Sequence, residues 1–284
     1  MAVPAISMTK RLLADAQAVK TAGVQLGAIT YSFRSIPNAV DIIAAMKSIG
    51  LTEAEVMSNH IEQLAGVPVV GRGAPREPIL EWRKNATPAT FQAVTKQFND
   101  AGIELRFLTY NMSSRTEDDE IEYAFRMAAA LGVKAITTST QVSVAKRIAP
   151  FADKHKMMVG YHGHSNITNP DEFATPESFA AAMAMSPYHG VNLDIGHFTA
   201  ANYDAVAYIK EHHARITNLH LKDRKKDDGA NLPWGEGDTP IKDVLQLLKT
   251  ERWDIPANIE YEYRGTDAVA EVAKCYEFCK DALK

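Results

Sequence analysis

The stretch Asn192-Leu193-Asp194-Ile195-Gly196-His197 is a short apolar run that ends in an acid, followed at once by a glycine and a histidine. Three further segments have the same form: Gly160-Tyr161-His162-Gly163-His164-Ser165, Asn218-Leu219-His220-Leu221-Lys222-Asp223 and Ile259-Glu260-Tyr261-Glu262-Tyr263. Each reads as a strand that closes on His, Asp or Glu. Consecutive strands that deliver nitrogen and oxygen ligands from their C-terminal ends describe a divalent-metal site at the mouth of a parallel barrel. One such run carries little weight, because a lone histidine at a strand end is commonly a hydrogen-bonded structural residue. Four in a row, separated by helix-sized gaps, are not explained by core packing.

Outward from these segments the chain alternates strand and helix. Strands are expected at 24–31, 51–57, 103–110, 133–138, 157–162, 191–195, 216–222 and 257–262. Helices are expected at 38–48, 89–101, 117–131, 142–155, 176–185, 203–213, 241–250 and 268–283, with Gly50, Gly132 and the Thr87-Pro88 pair as stop and start signals. Eight strand–helix pairs at a spacing of roughly 30 residues are what parallel crossover units demand. Eight such units close into a single (β/α)8 TIM-type barrel of the α/β class. A doubly wound open sheet is the competing fold. It would want a Gly-rich phosphate turn after the first strand, and Gly27-Ala28-Ile29-Thr30-Tyr31-Ser32-Phe33 holds one glycine. The segment 58–88, rich in Gly, Pro and Arg, reads as a long loop after strand two; its Arg72 and Arg76 either cap the mouth or belong to a solvated insertion. Residues 10–20 read as a helix covering the barrel floor. The domain reading is therefore an N-terminal extension and helix over 1–22 and a barrel over 23–284.

Composition agrees with a globular enzyme-sized domain. The 284 residues are 46% hydrophobic and 23% charged, enough for a large core. A net charge of -4 with no basic block argues against a nucleic-acid partner, and no apolar run reaches membrane-spanning length. Cys275 and Cys279, four apart on an expected helix, suit two thiols on one face better than a disulfide. The opening Met1-Ala2-Val3-Pro4-Ala5 is either a cytoplasmic start or the mature end left after an export signal is removed, so cytoplasm and periplasm both stay open.

Side chains alternate along a strand, so His162 and His164 share a face, as do His220 and Lys222, and Glu260 and Glu262. With the first of each pair turned into the mouth, His162, Asp194, His220 and Glu260 converge as metal ligands. Two imidazoles and two carboxylates suit Mn²⁺, Mg²⁺, Co²⁺, Zn²⁺ or Fe²⁺, with water or a substrate oxygen in the open positions.

The segments Tyr161-His162-Gly163-His164, Asp194-Ile195-Gly196-His197, Leu219-His220-Leu221-Lys222-Asp223, Gly235-Glu236-Gly237-Asp238 and Ile259-Glu260-Tyr261-Glu262 resemble the xylose isomerase-like TIM barrels of the sugar phosphate isomerase/epimerase family. The resemblance implies a divalent metal, most often Mn²⁺, held by Glu, Asp, His and Glu from strands five to eight. Asp194, His220 and Glu260 match three of these. His162 falls where the family carries its first Glu, a residue that also shuttles protons in family epimerases. Catalytic candidates for the base are therefore Glu55 and Glu262, then His164 and His197, with Lys222 either beside a substrate oxygen or carbonyl or in a salt bridge with Asp223 or a glutamate of the mouth. Glu55 is either an inward functional group or an anchor behind the ligands. Candidates for substrate contact are His197, Trp234, Glu236, Asp238 and Arg224, with Trp234 either stacking on a sugar ring or anchoring its loop. The implied reaction is proton abstraction beside a carbonyl of a sugar or keto-sugar, in an isomerase or epimerase; a lyase or dehydratase on a keto-sugar or keto-glycoside is the alternative. A carbohydrate substrate follows, and homo-oligomer formation stays open. An apurinic endonuclease of related fold would need more ligands and a basic face. A non-catalytic sugar-binding barrel would retain the fold without turnover.

Overall fold

The computed structural model describes residues 17–71 and 74–284. In chain order it comprises β1 (Leu26–Ile29), α1 (Ala39–Ile49), β2 (Glu53–Met57), α2 (Ser58–Leu64), α3 (Glu77–Asn85), α4 (Pro88–Asp100), β3 (Glu104–Thr109), α5 (Asp118–Leu131), β4 (Ala135–Thr138) and α6 (Val142–His155). There follow β5 (Met158–His162), α7 (Pro176–Met183), β6 (His189–Asp194), α8 (Ile195–Ala200), α9 (Ala205–His212), β7 (Ile216–Leu221), α10 (Ile241–Glu251), β8 (Ala257–Ile259) and α11 (Ala268–Ala282). The eight strands pair in sequence order and close into a barrel, with β1 parallel to both β2 and β8. The expected (β/α)8 TIM barrel is the observed fold.

Local chemistry sets the element ends. Asn38 caps α1 by accepting from the Val40 amide, and Gly50 ends it in the left-handed conformation. Asp267 likewise caps α11 through the Ala270 amide. The strands are buried on both faces, because helices cover the outside and side chains fill the inside. Ile42, Met46, Phe91, Val94, Phe98, Phe125, Ile148 and Val272 form part of the apolar layer between the sheet and the helices. That layer fixes the barrel and leaves the strand C-termini free to vary.

Three expectations change. The segment after strand two is not one long loop: α2 and α3 form inside it, leaving irregular stretches at 65–71 and 74–76, while Arg72 lies outside the described residues. Arg83 of α3 pins this insertion by bonding Glu62 of α2 at 2.7 Å and Glu120 of α5 at 2.8 Å. The helix expected over 10–20 falls mostly outside the described residues, and 17–20 are not helical. Ile195, read as the end of a strand, opens the short helix α8, because the Asp194 carboxylate accepts from the His197 amide at 2.8 Å and turns the chain. Among the described residues no helix is long and apolar enough to cross a membrane.

Candidate metal centre

His162, Asp194, His220 and Glu260 each place a ligand atom within 4.8 Å of the other three. The strand register explains the convergence. Asp194 of β6 sits opposite His220 of β7, and His220 sits opposite Asn258 of β8. Glu260 is therefore two residues beyond its paired neighbour, the stagger a tilted barrel imposes. Alternation continues past the strand ends, so His164, Lys222 and Glu262 line the same cavity, of about 340 Å³, as His162, His220 and Glu260.

Each imidazole is held by a partner behind it. His162 Nδ1 meets Asn192 Oδ1 at 2.7 Å, which places the ring hydrogen on Nδ1 and turns the Nε2 lone pair toward the cluster. Burial, with the charges of His220 and Lys222 adding, holds His162 down to about 4, so the ring is neutral. His220 Nε2 lies 2.7 Å from Glu55 Oε2, and its Nδ1 lies 3.0 Å from Glu260 Oε2. Burial opposes charge on His220, but the two carboxylates outweigh it and raise the ring well above its ordinary value. A metal would displace the proton from Nδ1, leaving Nε2–H on Glu55 in the carboxylate–histidine–metal arrangement. The donor set fits a divalent cation.

Glu55 is wholly buried and has five donors around its two oxygens. Oε1 faces Thr109 at 3.0 Å and Thr137 at 2.5 Å; Oε2 faces Asn218 at 2.8 Å, Asn258 at 3.0 Å and His220. Burial disfavours its charge, yet His220 and these hydrogen bonds hold its pKa below the usual value. Its oxygens are fully engaged within the protein, an arrangement suited to anchoring His220 and unsuited to proton abstraction.

Lys222 is the buried cation of the site, paired with the carboxylates of the mouth. It is 2% exposed, and its Nζ stands 3.0 Å from Asp194 Oδ2, 3.0 Å from Glu260 Oε2 and 2.5 Å from Glu262 Oε2. Burial opposes its charge, but these carboxylates raise its pKa. Burial raises Asp194 to about 6 despite Lys222, whereas Lys222 and His220 overcome burial at Glu260 and hold it well down. Gly196 makes the approach possible, since a Cβ there would lie 2.6 Å from the Lys222 carbonyl oxygen.

On the other side of the cavity, His164 Nε2 is 3.3 Å from Ser139 Oγ, with Glu172 Oε1 3.8 Å from Nδ1. Burial and the neighbouring His162 bring His164 to about 4. His197 lines the mouth as well, between Lys222 and Arg224. The remaining candidates stand elsewhere. Trp234 packs edge-on against Phe278 in an adjacent cleft with Tyr263 and Arg264. Glu236 is exposed, and Asp238 bonds the Lys226 amide and Lys225 Nζ. All five Arg224 N–H groups are taken by protein acceptors. None of these four lines the cavity, so direct substrate contact by them does not follow from this geometry.

The sequence reading missed the residues behind the ligands: Asn192, Asn218, Asn258, Thr109 and Thr137. A signal was present. Asn stands two residues before Asp194, before His220 and before Glu260, in strands otherwise rich in apolar residues. A shared face with the ligand places each Asn directly beneath it.

Comparison with known proteins agrees with the architecture. The family model described as the xylose isomerase-like TIM barrel matches residues 65–281. A search of curated proteins gives no match. Among solved structures, a sugar phosphate isomerase/epimerase from Parabacteroides distasonis aligns at 17% identity and a TM-score of 0.63, over 93% of this chain and 96% of its own. The probable 3-DHS dehydratase AsbF involved in petrobactin synthesis, from Bacillus anthracis, aligns at 15% identity and 0.65, over 90% and 99%. The IOLI protein with a bound zinc atom aligns at 14% identity and 0.66, over 92% and 98%. At such identities the structures speak for the fold, and the family model, which spans most of the chain, speaks for descent: this chain belongs to the xylose isomerase-like TIM barrel family.

Proposed function

We propose that the chain is a divalent-metal-dependent isomerase or epimerase that abstracts a proton beside a carbonyl of a sugar or keto-sugar. The observation that carries this reading is the convergence of His162, Asp194, His220 and Glu260 beside a cavity that also exposes Glu262, Lys222 and His197. When bound, the metal would polarise a carbonyl or hydroxyl oxygen. Mn²⁺ is the first choice for a set of two imidazoles and two carboxylates, with Mg²⁺, Co²⁺, Zn²⁺ and Fe²⁺ also compatible. The zinc bound by one structural neighbour is in keeping with such a site.

The chain's own residues divide the remaining work. Two carboxylates in the cavity are not among the four ligands; Glu55 has both oxygens engaged by protein donors, so Glu262 is our assignment for the base. Lys222, 2.5 Å from it, pairs with that carboxylate and stands ready to hold or return a proton at a substrate oxygen. His164 with Ser139 faces the cavity from across β4 and β5 and is the group placed to serve an opposite face of the substrate carbon. His197 contacts a substrate oxygen.

One observation favours a second reading. The β5 position holds a neutral imidazole, His162, tied to Asn192, so carboxylate bases cluster on the β8 side alone. A single base paired with an acid suits β-elimination from a keto-sugar or keto-glycoside, and one neighbour is a probable dehydratase. Incubating the Mn²⁺-loaded protein with keto-hexoses and 3-keto-glucosides in D₂O separates the two. Isomerisation or epimerisation returns a sugar with deuterium on the carbon beside the carbonyl. Elimination yields an unsaturated or hydrated product and a leaving group. An isomerised product without any deuterium would overturn proton abstraction and leave the metal site standing.

A further inference from the structure

His197 poses a hydrogen-bonding problem. Arg224 Nη1 approaches its Nδ1 at 2.7 Å, and Lys222 Nζ approaches its Nε2 at 3.1 Å. A cationic donor faces each ring nitrogen, so the two N–H groups of an imidazolium have no room and the ring is neutral. A neutral imidazole has one lone pair and one N–H. Both cationic donors cannot be accepted at once.

The two donors differ in what else they reach. Arg224 is a donor only and stays protonated. Its Nε and Nη2 bond the Gly229 carbonyl at 3.0 and 2.6 Å, Nη2 also meets Asp228 Oδ1 at 3.3 Å, and Nη1 bonds Ser165 Oγ at 2.8 Å. That accounts for four of five hydrogens, and His197 Nδ1 is the acceptor for the fifth. A hydrogen on Nδ1 would press two N–H groups together and strand a buried guanidinium hydrogen. Lys222 has three carboxylate oxygens within 3.0 Å, at Asp194, Glu260 and Glu262, as alternative acceptors for its three hydrogens.

We propose that Arg224 is a positioning residue that fixes His197 in the Nε2–H tautomer, so that the ring offers the mouth a hydrogen-bond donor and not a base. The acceptor would be a hydroxyl or enolate oxygen of the substrate, a point that rests on the carbohydrate reading above. Such a donor stabilises negative charge developing on oxygen.

The loop after β7 is built to hold Arg224 still. Its amide donates to Thr239 Oγ1 at 3.0 Å, and its carbonyl accepts from the Asp238 amide at 2.8 Å. Asp223 gathers the loop by accepting from the amides of Gly235 at 2.7 Å, Gly237 at 3.0 Å and Thr239 at 3.2 Å. A Cβ at position 237 would collide with Asp223 Oδ1. The Gly235-Glu236-Gly237-Asp238 segment thus acts on the mouth through Arg224.

The test needs no turnover. In metal-free protein labelled with ¹⁵N-histidine, long-range ¹H–¹⁵N spectra report which ring nitrogen carries hydrogen, and His197→Gln identifies the His197 signals. The expected result is the Nε2–H form in the wild type and a shift toward Nδ1–H in Arg224→Met. An Nδ1–H wild-type ring would overturn the proposal, and this measurement stands even if Arg224→Met does not fold. In the D₂O exchange assay with Mn²⁺, Arg224→Met should lower kcat by about 10- to 100-fold with Mn²⁺ affinity unchanged. His197→Gln, which keeps an N–H donor, should retain more activity than His197→Ala; equal loss in both would count against a donor role. Failure of every keto-sugar to exchange in the wild type would sink the proposed function, while the tautomer would still be decided by the spectra.

Discussion

The two halves of the barrel mouth are made of different chemistry. The β5–β8 side supplies His162, His164, Asp194, His197, His220, Lys222, Glu260 and Glu262. The β1–β4 side supplies Ile29, Tyr31, Met57, Thr109, Asn111, Thr137, Thr138 and Ser139, with Glu55 as its one ionisable group to reach across. Glu55 crosses the interior to bond His220 and Asn218 of β7 and Asn258 of β8. One half therefore holds the charge and the protons, while the other shapes the cavity and fastens the reactive half from behind. A mouth divided this way separates ligand placement from substrate fit, so the two should respond differently to substitution.

The largest effect should come from the charged half. Asp194→Ala removes a proposed ligand and the cap of α8 together. Mn²⁺ affinity, read by titration calorimetry, should fall by more than the roughly 10–100-fold typical of outer partners. Circular dichroism should keep the barrel signature, because the site lies outside the core. Stoichiometric tight Mn²⁺ in this variant would remove Asp194 from the ligand set.

Glu55→Gln tests the charged contact by which the neutral half steadies His220 of the other half. The amide keeps the shape and loses the charge that pairs with His220. Metal affinity should drop by about 10- to 100-fold with the fold retained. An unchanged affinity would reduce Glu55 to a packing residue.

The next effect is on stability and depends on pH. Burial depresses His162 and His164 to about 4 from the ordinary 6.5. Between those values the unfolded chain binds more protons than the folded one, so their contribution is complete above about 6.5 and is lost as pH falls toward 4. His220, raised well above 6.5, works in the opposite sense: its contribution is full below that value and fades as pH rises through its folded pKa. In metal-free protein the thermal midpoint should therefore fall on acidification below pH 6.5, and His162→Gln with His164→Gln should flatten that slope. An unaltered slope in the double variant would assign the acid sensitivity to other groups.

The smallest effect should come from the uncharged wall. Ser139→Ala removes one hydroxyl partner of His164. One neutral hydrogen bond is worth about 0.5–1.5 kcal/mol, so kcat/KM should change by roughly 2- to 10-fold with metal affinity intact. A loss as large as that of Asp194→Ala would break the division between the halves.

Much of this was legible before any coordinates. The alternation of strands and helices, with Gly50 and Gly132 as stops, gave eight parallel units. The period-two spacing of His162/His164, His220/Lys222 and Glu260/Glu262 put each pair on one face, as observed in the cavity lining. The α2–α3 insertion was not legible. α3 buries no residue of its own and is secured by the Arg83 ion pairs, which periodicity does not register. The partners behind the ligands escaped because asparagine and threonine inside a strand have no chemistry of their own until something is placed opposite them.

What the sequence determined by itself is local: which runs extend, which coil, and which side chains share a face, because backbone sterics and alternation act over a few residues. What only the tertiary structure decided is which of two like groups is put to use. Glu53 and Glu55 stand two apart on β2, share a face and are both wholly buried. Glu55 receives five donors from β3, β4, β7 and β8 and carries charge behind His220. Glu53, one layer lower, has no hydrogen-bond partner for either carboxylate oxygen among the described residues, and burial pushes its pKa well above the usual carboxylate range, which disfavours its charge. The donors that separate the two come from strands as far as 203 residues away in the chain. A buried charge persists only where such partners meet it, and that meeting is a property of the closed barrel.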